Sequence, residues 1–371
     1  MSEIVLGALA SVMDNDCLWF SNIYFNGLFK YDLHKREMSY VCSFGNDCGG
    51  IYLHNKAYVY KQFVIFCPLK DTKIRVYNKY NEQMVSYDIP ELNSNIEFIS
   101  PMLYKDIIYF GNGLGDVYTL DLKTFNIVLN RELTQICKKF IKENRSTLVI
   151  FRNGFICICV NNIHLYQIDV EDGVVLRMPK LLTGKGIVKD VYRVREEYWI
   201  LYRDKCDIDI VSENSLKKTT IKMRDAWVRA NKFLPFSSLY ADQGDVWVLN
   251  YYHSQLNCVD KMNYNVKKSF IFQKDFRVNP TIDYGPVFSH AFRYEDYMVF
   301  VPCRGDCLIL YNESLKKIEN ILFSIDSADI NYLLCNELER IYTIEKGCVK
   351  ENDIFSFKSY IEYLLMVDNI K

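Results

Sequence analysis

Seven times along the chain an apolar run stops at a short polar turn and restarts as a segment of alternating apolar and polar residues. The copies are LWFSNIYFNGLFKYDL (18–33), FVIFCPLKDTKIRVYNK (63–79), IIYFGNGLGDVYTLDL (107–122), FICICVNNIHLYQIDV (155–170), YWILYRDKCDIDIVS (198–212), VWVLNYYHSQLNCVDK (246–261) and YMVFVPCRGDCLILYNE (297–313). In GLFKYDL, Phe29, Tyr31 and Leu33 alternate with Lys30 and Asp32. In HLYQIDV, Tyr166, Ile168 and Val170 alternate with Leu165, Gln167 and Asp169. A two-residue period belongs to a strand buried more on one face. The preceding run, as in IIYF (107–110) and ICICV (156–160), is almost continuously apolar and reads as a strand covered on both faces.

Aligning the second segments puts Asp32, Asn78, Asp121, Asp169, Val211, Asp260 and Asn312 in register, separated by 46, 43, 48, 42, 49 and 52 residues. Each period has room for an inner strand such as SPMLYKD (100–106) and an outer one such as NIVLNREL (126–133). Four antiparallel strands per period of about 47 residues predict the blade of a β-propeller. Helical solenoids need a 3.6-residue period and doubly wound sheets need long amphipathic helices between strands, and neither pattern is visible. The fold class is therefore all-β. Seven four-stranded blades are expected, with eight as the alternative because DINYLLCNELERIYTIEK (329–346) reads as one more strand pair. The one segment that reads as a helix is the tail DIFSFKSYIEYLLMVDNI (353–370), with Ile354, Phe357, Ile361, Leu364 and Leu365 on one face. The expected division is a propeller over 1–350 and a C-terminal helical tail over 351–371.

With 371 residues, half of them apolar and 15% aromatic, the chain can bury a large core. Its 45 Lys plus Arg balance 46 Asp plus Glu, so no global field favours nucleic acid or an anionic membrane. The N-terminal stretch MSEIVLGALASVMDND has an acidic start and no basic flank, which makes a poor signal peptide. No apolar stretch is long enough to span a bilayer, so no membrane insertion is expected. The 13 cysteines are scattered singly through predicted strands, among them Cys67, Cys157, Cys159 and Cys258. They read as reduced core thiols in a cytoplasmic protein.

The strand endings YTLDLKT (118–124) and YQIDVEDG (166–173), each after an apolar strand, resemble those of bacterial β-propellers of the kelch-like, quinoprotein-like and YVTN-like group. The resemblance spans residues 1 to about 325 and is architectural. It implies blades with a ligand-facing end and no particular reaction. Most copies lack the paired glycines of kelch repeats, the Trp-Asp endings of WD40 repeats and the regular Trp docking motifs of quinoproteins.

Several short motifs have a structural and a functional reading. GNGLGD (111–116) joins two strands and does not open a helix, so it reads as a glycine turn and not a phosphate loop. CRGDC (303–307) reads as a hairpin turn, since two thiols make an incomplete zinc site. NRS at 144 and NES at 312 accept glycans only in a secreted chain. No cofactor or metal is expected.

Of the five histidines, His34, His54 and His164 read as core or surface residues, while His253 and His290 map near one end of the blades, His290 beside Arg293. With Asp204 and Asp306 in equivalent loops they could serve a glycosidase or lyase as acid and base. The binding reading rests on two long inter-blade connections, RDAWVRANKFLP (224–235) and QKDFRVNPTIDYGP (273–286). They combine Trp227, Phe276 and Tyr284 with Arg229 and Arg277, residue types that stack on sugar rings and grip anions. His253, His290, Arg304, Lys70 and Asn26 complete the candidate set, and Asn22, Asp71 and Arg203 share the same loops. The leading expectation is a non-catalytic propeller binding a protein partner or glycan-type ligand, by analogy in bacterial surface-polysaccharide metabolism. The alternatives are a carbohydrate-active hydrolase or lyase and a structural assembly scaffold. Oligomeric state stays open.

Overall fold

In the computed structural model the described residues are 3–23, 26–45, 52–92, 96–144, 147–178, 181–223, 236–242, 244–251, 255–271 and 287–326. They form seven four-stranded antiparallel sheets, each joined in simple sequence order, plus one two-stranded sheet. The sheets are the seven blades of a β-propeller: 8–42, 54–88, 98–129, 147–178, 188–222, 236–271 and 288–322. All seven segments picked out by the repeat form the second and third strands of their blades. The proposed extra pair at 329–346 and the tail at 353–370 lie outside the described residues.

The chain divides into two compact units, 1–87 with 272–371 and 88–271. The first holds blades one, two and seven. Blade one packs on blade seven through Leu18, Phe20, Phe29 and Tyr31 against Val299, Val301, Leu308 and Phe323. It packs on blade two through Ala10, Trp19 and Leu28 against Phe44, Ala57, Val64 and Phe66. Beyond blade seven, Ser324–Asp326 pairs antiparallel with Glu3–Val5, so the two ends of the repeat are tied by backbone hydrogen bonds. The second unit holds blades three to six, its blades packed by successive clusters of Val, Ile, Leu and Tyr around Trp199 and Phe236.

The residue that ends each third strand has one job. The Oδ1 of Asp32 accepts the N–H of Lys35 at 2.9 Å, that of Asn78 accepts Tyr80 at 3.0 Å, and that of Asp121 accepts Lys123 at 2.7 Å. Asp169 accepts Glu171 at 2.8 Å, Asp260 accepts Met262 at 2.7 Å and Asn312 accepts Leu315 at 2.8 Å. A short polar side chain here closes the hairpin to the fourth strand as an Asx turn. In blade five the position belongs to Ser212, not Val211: Ser212 pairs with Glu197, the first residue of the second strand, as Asp32 does with Cys17. Its Oγ accepts the N–H of Ser215 at 3.4 Å. Val211 is a buried core residue, so the sequence register slips by one there. Four residues on, every copy has a left-handed residue: Arg36, Glu82, Phe125, Gly173, Leu216, Tyr264 and Lys316, with φ between 54° and 69°.

One element contradicts the sequence reading. The fourth strand of blade three is only Ile127–Leu129, and an α-helix follows over Arg131–Glu143 where a strand was expected to continue to 133. Asn130 caps it, its Oδ1 accepting the N–H of Leu133 at 3.0 Å. Leu133, Ile136, Cys137, Phe140 and Ile141 then recur at helical spacing and fill the cluster between blades three and four. No helix among the described residues is long and apolar enough to cross a membrane.

Candidate functional site at the loop-bearing end of the blades

Six of the seven first strands carry an irregular register near their starts, between Ala8 and Ala10, His54 and Lys56, Ile99 and Met102, Val188 and Asp190, Phe236 and Ser238, and Phe288 and His290. Such bulges release residues from the ladder and re-aim their side chains. In each blade these starts lie beside the loop joining the second and third strands, because that loop follows the residue paired with the start of the first strand.

In the first unit this end is occupied by a buried polar network. His54 opens the first strand of blade two, its Nδ1 2.8 Å from Ser21 Oγ of blade one and its Nε2 3.4 Å from Asp71 Oδ2. Arg75 grips Asp71 with both Nε, at 2.7 Å, and Nη2, at 3.1 Å, and donates through Nη1 to Phe44 O at 3.1 Å and Ser86 Oγ at 2.7 Å. Asn26 accepts from Phe44 N at 3.0 Å and donates to Gly45 O at 2.8 Å. Burial pushes the His54 pKa down, opposed by the Asp71 carboxylate 3.4 Å from Nε2. Burial alone would raise Asp71, but the hydrogen bonds from His54 and Arg75 overcome it and hold the carboxyl well below its usual range. The order Ser, His, Asp is that of an acyl-transfer triad. Yet Ser21, His54, Asp71 and Arg75 are only 2%, 1%, 5% and 0% exposed, so the network ties blade one to blade two.

Of the ten candidate residues from the sequence, Trp227, Arg229, His253, Phe276, Arg277 and Tyr284 lie outside the described residues. Asn26 sits in the network above. Lys70 is exposed, its Nζ 5.9 Å from the Tyr52 ring centroid. Arg304 is buried in the loop of CRGDC, where its backbone N–H reaches Val287 O at 3.3 Å. His290 accepts or donates to Ser11 Oγ at 3.1 Å and stacks near Phe292. Burial, with the charge of Lys56, pushes its pKa down to about 3. Arg293 is paired with Glu313 at 2.9 Å. GNGLGD is a turn, with Asn112 Oδ1 accepting the N–H of Leu114 at 2.9 Å and of Asp116 at 3.1 Å. The ten described cysteines are all free thiols, and burial pushes Cys67, Cys157, Cys258 and Cys303 up to about 12. Among the described residues no group of His, Cys, Asp and Glu is arranged to hold a metal ion.

The second unit carries a different arrangement that the sequence reading missed. Lys189 lies in the bulge that starts blade five, and its Nζ donates to Phe236 O and, at 2.8 Å, to Ser237 O of blade six. The Tyr251 ring lies 5.2 Å from it. Asp190 is taken by Arg152 at 2.9 Å, and the Arg152 guanidinium stacks 3.7 Å from the Tyr192 ring centre. Burial pushes the Lys189 pKa down to about 7, with Arg203 adding to the shift and Asp190 opposing it. The surrounding loops are braced: Asn162 takes Gly184 N on its carbonyl at 3.1 Å and Val188 N on Oδ1 at 2.9 Å, and Asp204 Oδ1 takes Ile187 N at 2.8 Å. Exposed on these loops are Arg203, Ile163 and Ile187, with Leu114 on the corresponding loop of blade three. A lysine in IVKDVYRV (187–194) reads as one polar position of an alternating strand, and only the bulge singles it out.

No protein-family model and no curated protein matches the chain. Solved structures do. Virginiamycin B lyase from Staphylococcus aureus superposes with a TM-score of 0.57 at 12% identity, covering 82% of this chain and 96% of the other. A streptogramin B lyase gives a TM-score of 0.58 at 11% identity over 81% of this chain and 92% of the other. The extracellular domain of the putative one-component system BT4673 from B. thetaiotaomicron gives 0.58 at 13% identity over 86% of this chain, which spans 43% of that one. Neighbours of such varied roles at such low identity share architecture alone, and what they show is that this chain is a β-propeller.

Proposed function

We propose that the chain is a binding propeller that takes a glycan-type ligand on the loop-bearing end of its blades. The observation that supports this reading is the bracing of the loops around Lys189 and Arg203. Gly184, Ile187 and Val188 are each hydrogen-bonded to a neighbouring loop, so the cation and the apolar side chains beside them are held in place before a ligand arrives. Pre-organisation of this kind lowers the entropic cost of binding. Small apolar patches from Ile163 and Ile187 next to cationic donors suit a sugar, which presents C–H faces and hydroxyls together. Trp227, Arg229, Phe276, Arg277 and Tyr284, which lie outside the described residues, supply by residue type rings for stacking and further cations. A glycan array probed with the full chain tests it. A glycan hit should bind the Trp227→Ala, Arg229→Ala, Arg277→Ala triple variant at least tenfold more weakly, since each lost contact is worth on the order of 1 kcal/mol or more. A silent array together with capture of a defined protein partner would overturn the glycan reading.

A lyase reading is the second. It is favoured by Lys189, an amine brought to about 7, because a general base works best near the ambient pH. Two of the structural neighbours are lyases, a likeness that supplies the scaffold and no residue roles. Elimination in a bound acidic glycan would create a conjugated double bond, so the reading predicts a growing ultraviolet absorbance that Lys189→Gln abolishes. No absorbance change with a glycan that demonstrably binds would remove it.

A further inference from the structure

We propose that Lys189, Arg203, Ser237 and Asn250 form a subsite for the carboxylate and adjacent hydroxyl of an acidic sugar, a uronic acid residue; this rests on the glycan-binding reading above. The first argument is a count of donors. An ammonium has three protons, and Lys189 gives two of them to Phe236 O and Ser237 O, which leaves one. The carboxylate nearest in sequence does not take it. Asp190 uses Oδ2 on Arg152, at 2.9 Å, and Oδ1 on the N–H of Val191, at 2.8 Å.

The second argument is charge. The Arg203 guanidinium is exposed and makes no hydrogen bond or ion pair among the described residues, and the Arg203 backbone N–H donates to Ile187 O at 2.8 Å, two residues from Lys189, whose charge it disfavours. Asp190 offsets part of this repulsion, with both of its oxygens already engaged, and a bound anion would offset the rest.

The third argument selects the ligand. Ser237 Oγ and Asn250 Oδ1 are buried without a hydrogen-bond partner among the described residues. Asn250 is fully buried and pairs with Phe236, the residue whose carbonyl takes the Lys189 ammonium. A serine hydroxyl can donate to a carboxylate, but an amide oxygen can only accept. The ligand must therefore bring a donor next to its negative charge, as a hydroxylated carboxylate does and a fully ionised phosphate does not. The Tyr251 ring, already facing the ammonium, supplies a flat face beside the charge.

The test is calorimetric titration of the full chain with a uronic acid trisaccharide, a matched neutral trisaccharide and inorganic phosphate. The expected result is binding of the acidic trisaccharide at least tenfold tighter than either of the others. Arg203→Gln and Lys189→Gln should each weaken it tenfold or more, Lys189→Arg should restore part of the loss, and Lys316→Gln, an equal charge change on a hairpin of blade seven, should leave it unchanged. Repeating the titration at pH 8 in buffers of different ionisation enthalpy should show protons taken up, as the anion restores the charge of Lys189, and Lys189→Gln should abolish the uptake. Should Lys189→Gln unfold the chain, exposed Arg203 still carries the test. Equal affinity for acidic and neutral sugars, or unchanged affinity in Arg203→Gln, would overturn the subsite and leave glycan binding standing. Phosphate binding as tightly as the uronate would reduce the site to a general anion site. Binding of neither sugar would overturn the subsite and the glycan reading together.

Discussion

At the residue scale the repeat is written in one turn. The polar residue that ends each third strand accepts backbone N–H groups, and the left-handed residue four positions on completes the hairpin. Asp121→Ala should therefore lower stability by about 1 kcal/mol, the usual worth of such a bond, and Asp121→Asn should cost much less, as measured by chemical denaturation. Gly173→Ala should cost about 1 kcal/mol, because L-residues pay roughly that to enter the left-handed region. A second residue-scale prediction concerns acid. His290 stays neutral in the fold down to about pH 3, while an unfolded chain protonates it below about 6.5. Between those values the unfolded state binds more protons, so stability is full above pH 6.5 and falls as the pH drops, by up to about 1.4 kcal/mol per unit. Asp71, whose folded pKa is also lowered, acts in the same direction at lower pH. His290→Gln should flatten the loss between pH 6.5 and 3 in denaturation curves; an unchanged slope would show that the ring is solvated.

At the element scale the sequence was legible wherever burial imposes a period. Second strands are covered on both sides by neighbours and announce it by apolar runs, and third strands announce their more buried face by alternation. Fourth strands at the rim are exposed and carry little pattern, as Val175–Met178 illustrates, and it is beyond such a strand that the helix Arg131–Glu143 was missed. Its signals, Asn130 before a helical spacing of apolar residues, were present but short and overlapped a stretch readable as an outer strand. The slip of Val211 for Ser212 has a similar cause. Serine substitutes for aspartate in the turn, whereas apolar alternation aligns Val211 with the aspartates. The helix earns its place by packing: Leu133→Ala should cost about 2 to 5 kcal/mol, and Asn130→Ala about 1 kcal/mol through the lost cap, both read from thermal or urea unfolding.

At the scale of the whole molecule, the blade count follows from the repeat, and the tie between Glu3–Val5 and Ser324–Asp326 follows from nothing in the period. The candidate site was less legible still. Bulges obey no alternation, so a lysine released from the ladder looks like any surface lysine until the register is known. The polar loop residues divide accordingly: Asp71 and Asn26 belong to a buried network, while Lys189, in a strand, lies near exposed Arg203. The most direct measurement of the central claim is hydrogen exchange of the full chain with and without the acidic trisaccharide. Slowed exchange confined to 187–191, 203–206 and 236–238, with the third-to-fourth-strand hairpins at 121–126 and 312–317 unchanged, is the predicted result. Protection confined to those hairpins, or spread evenly over the blades, would contradict it.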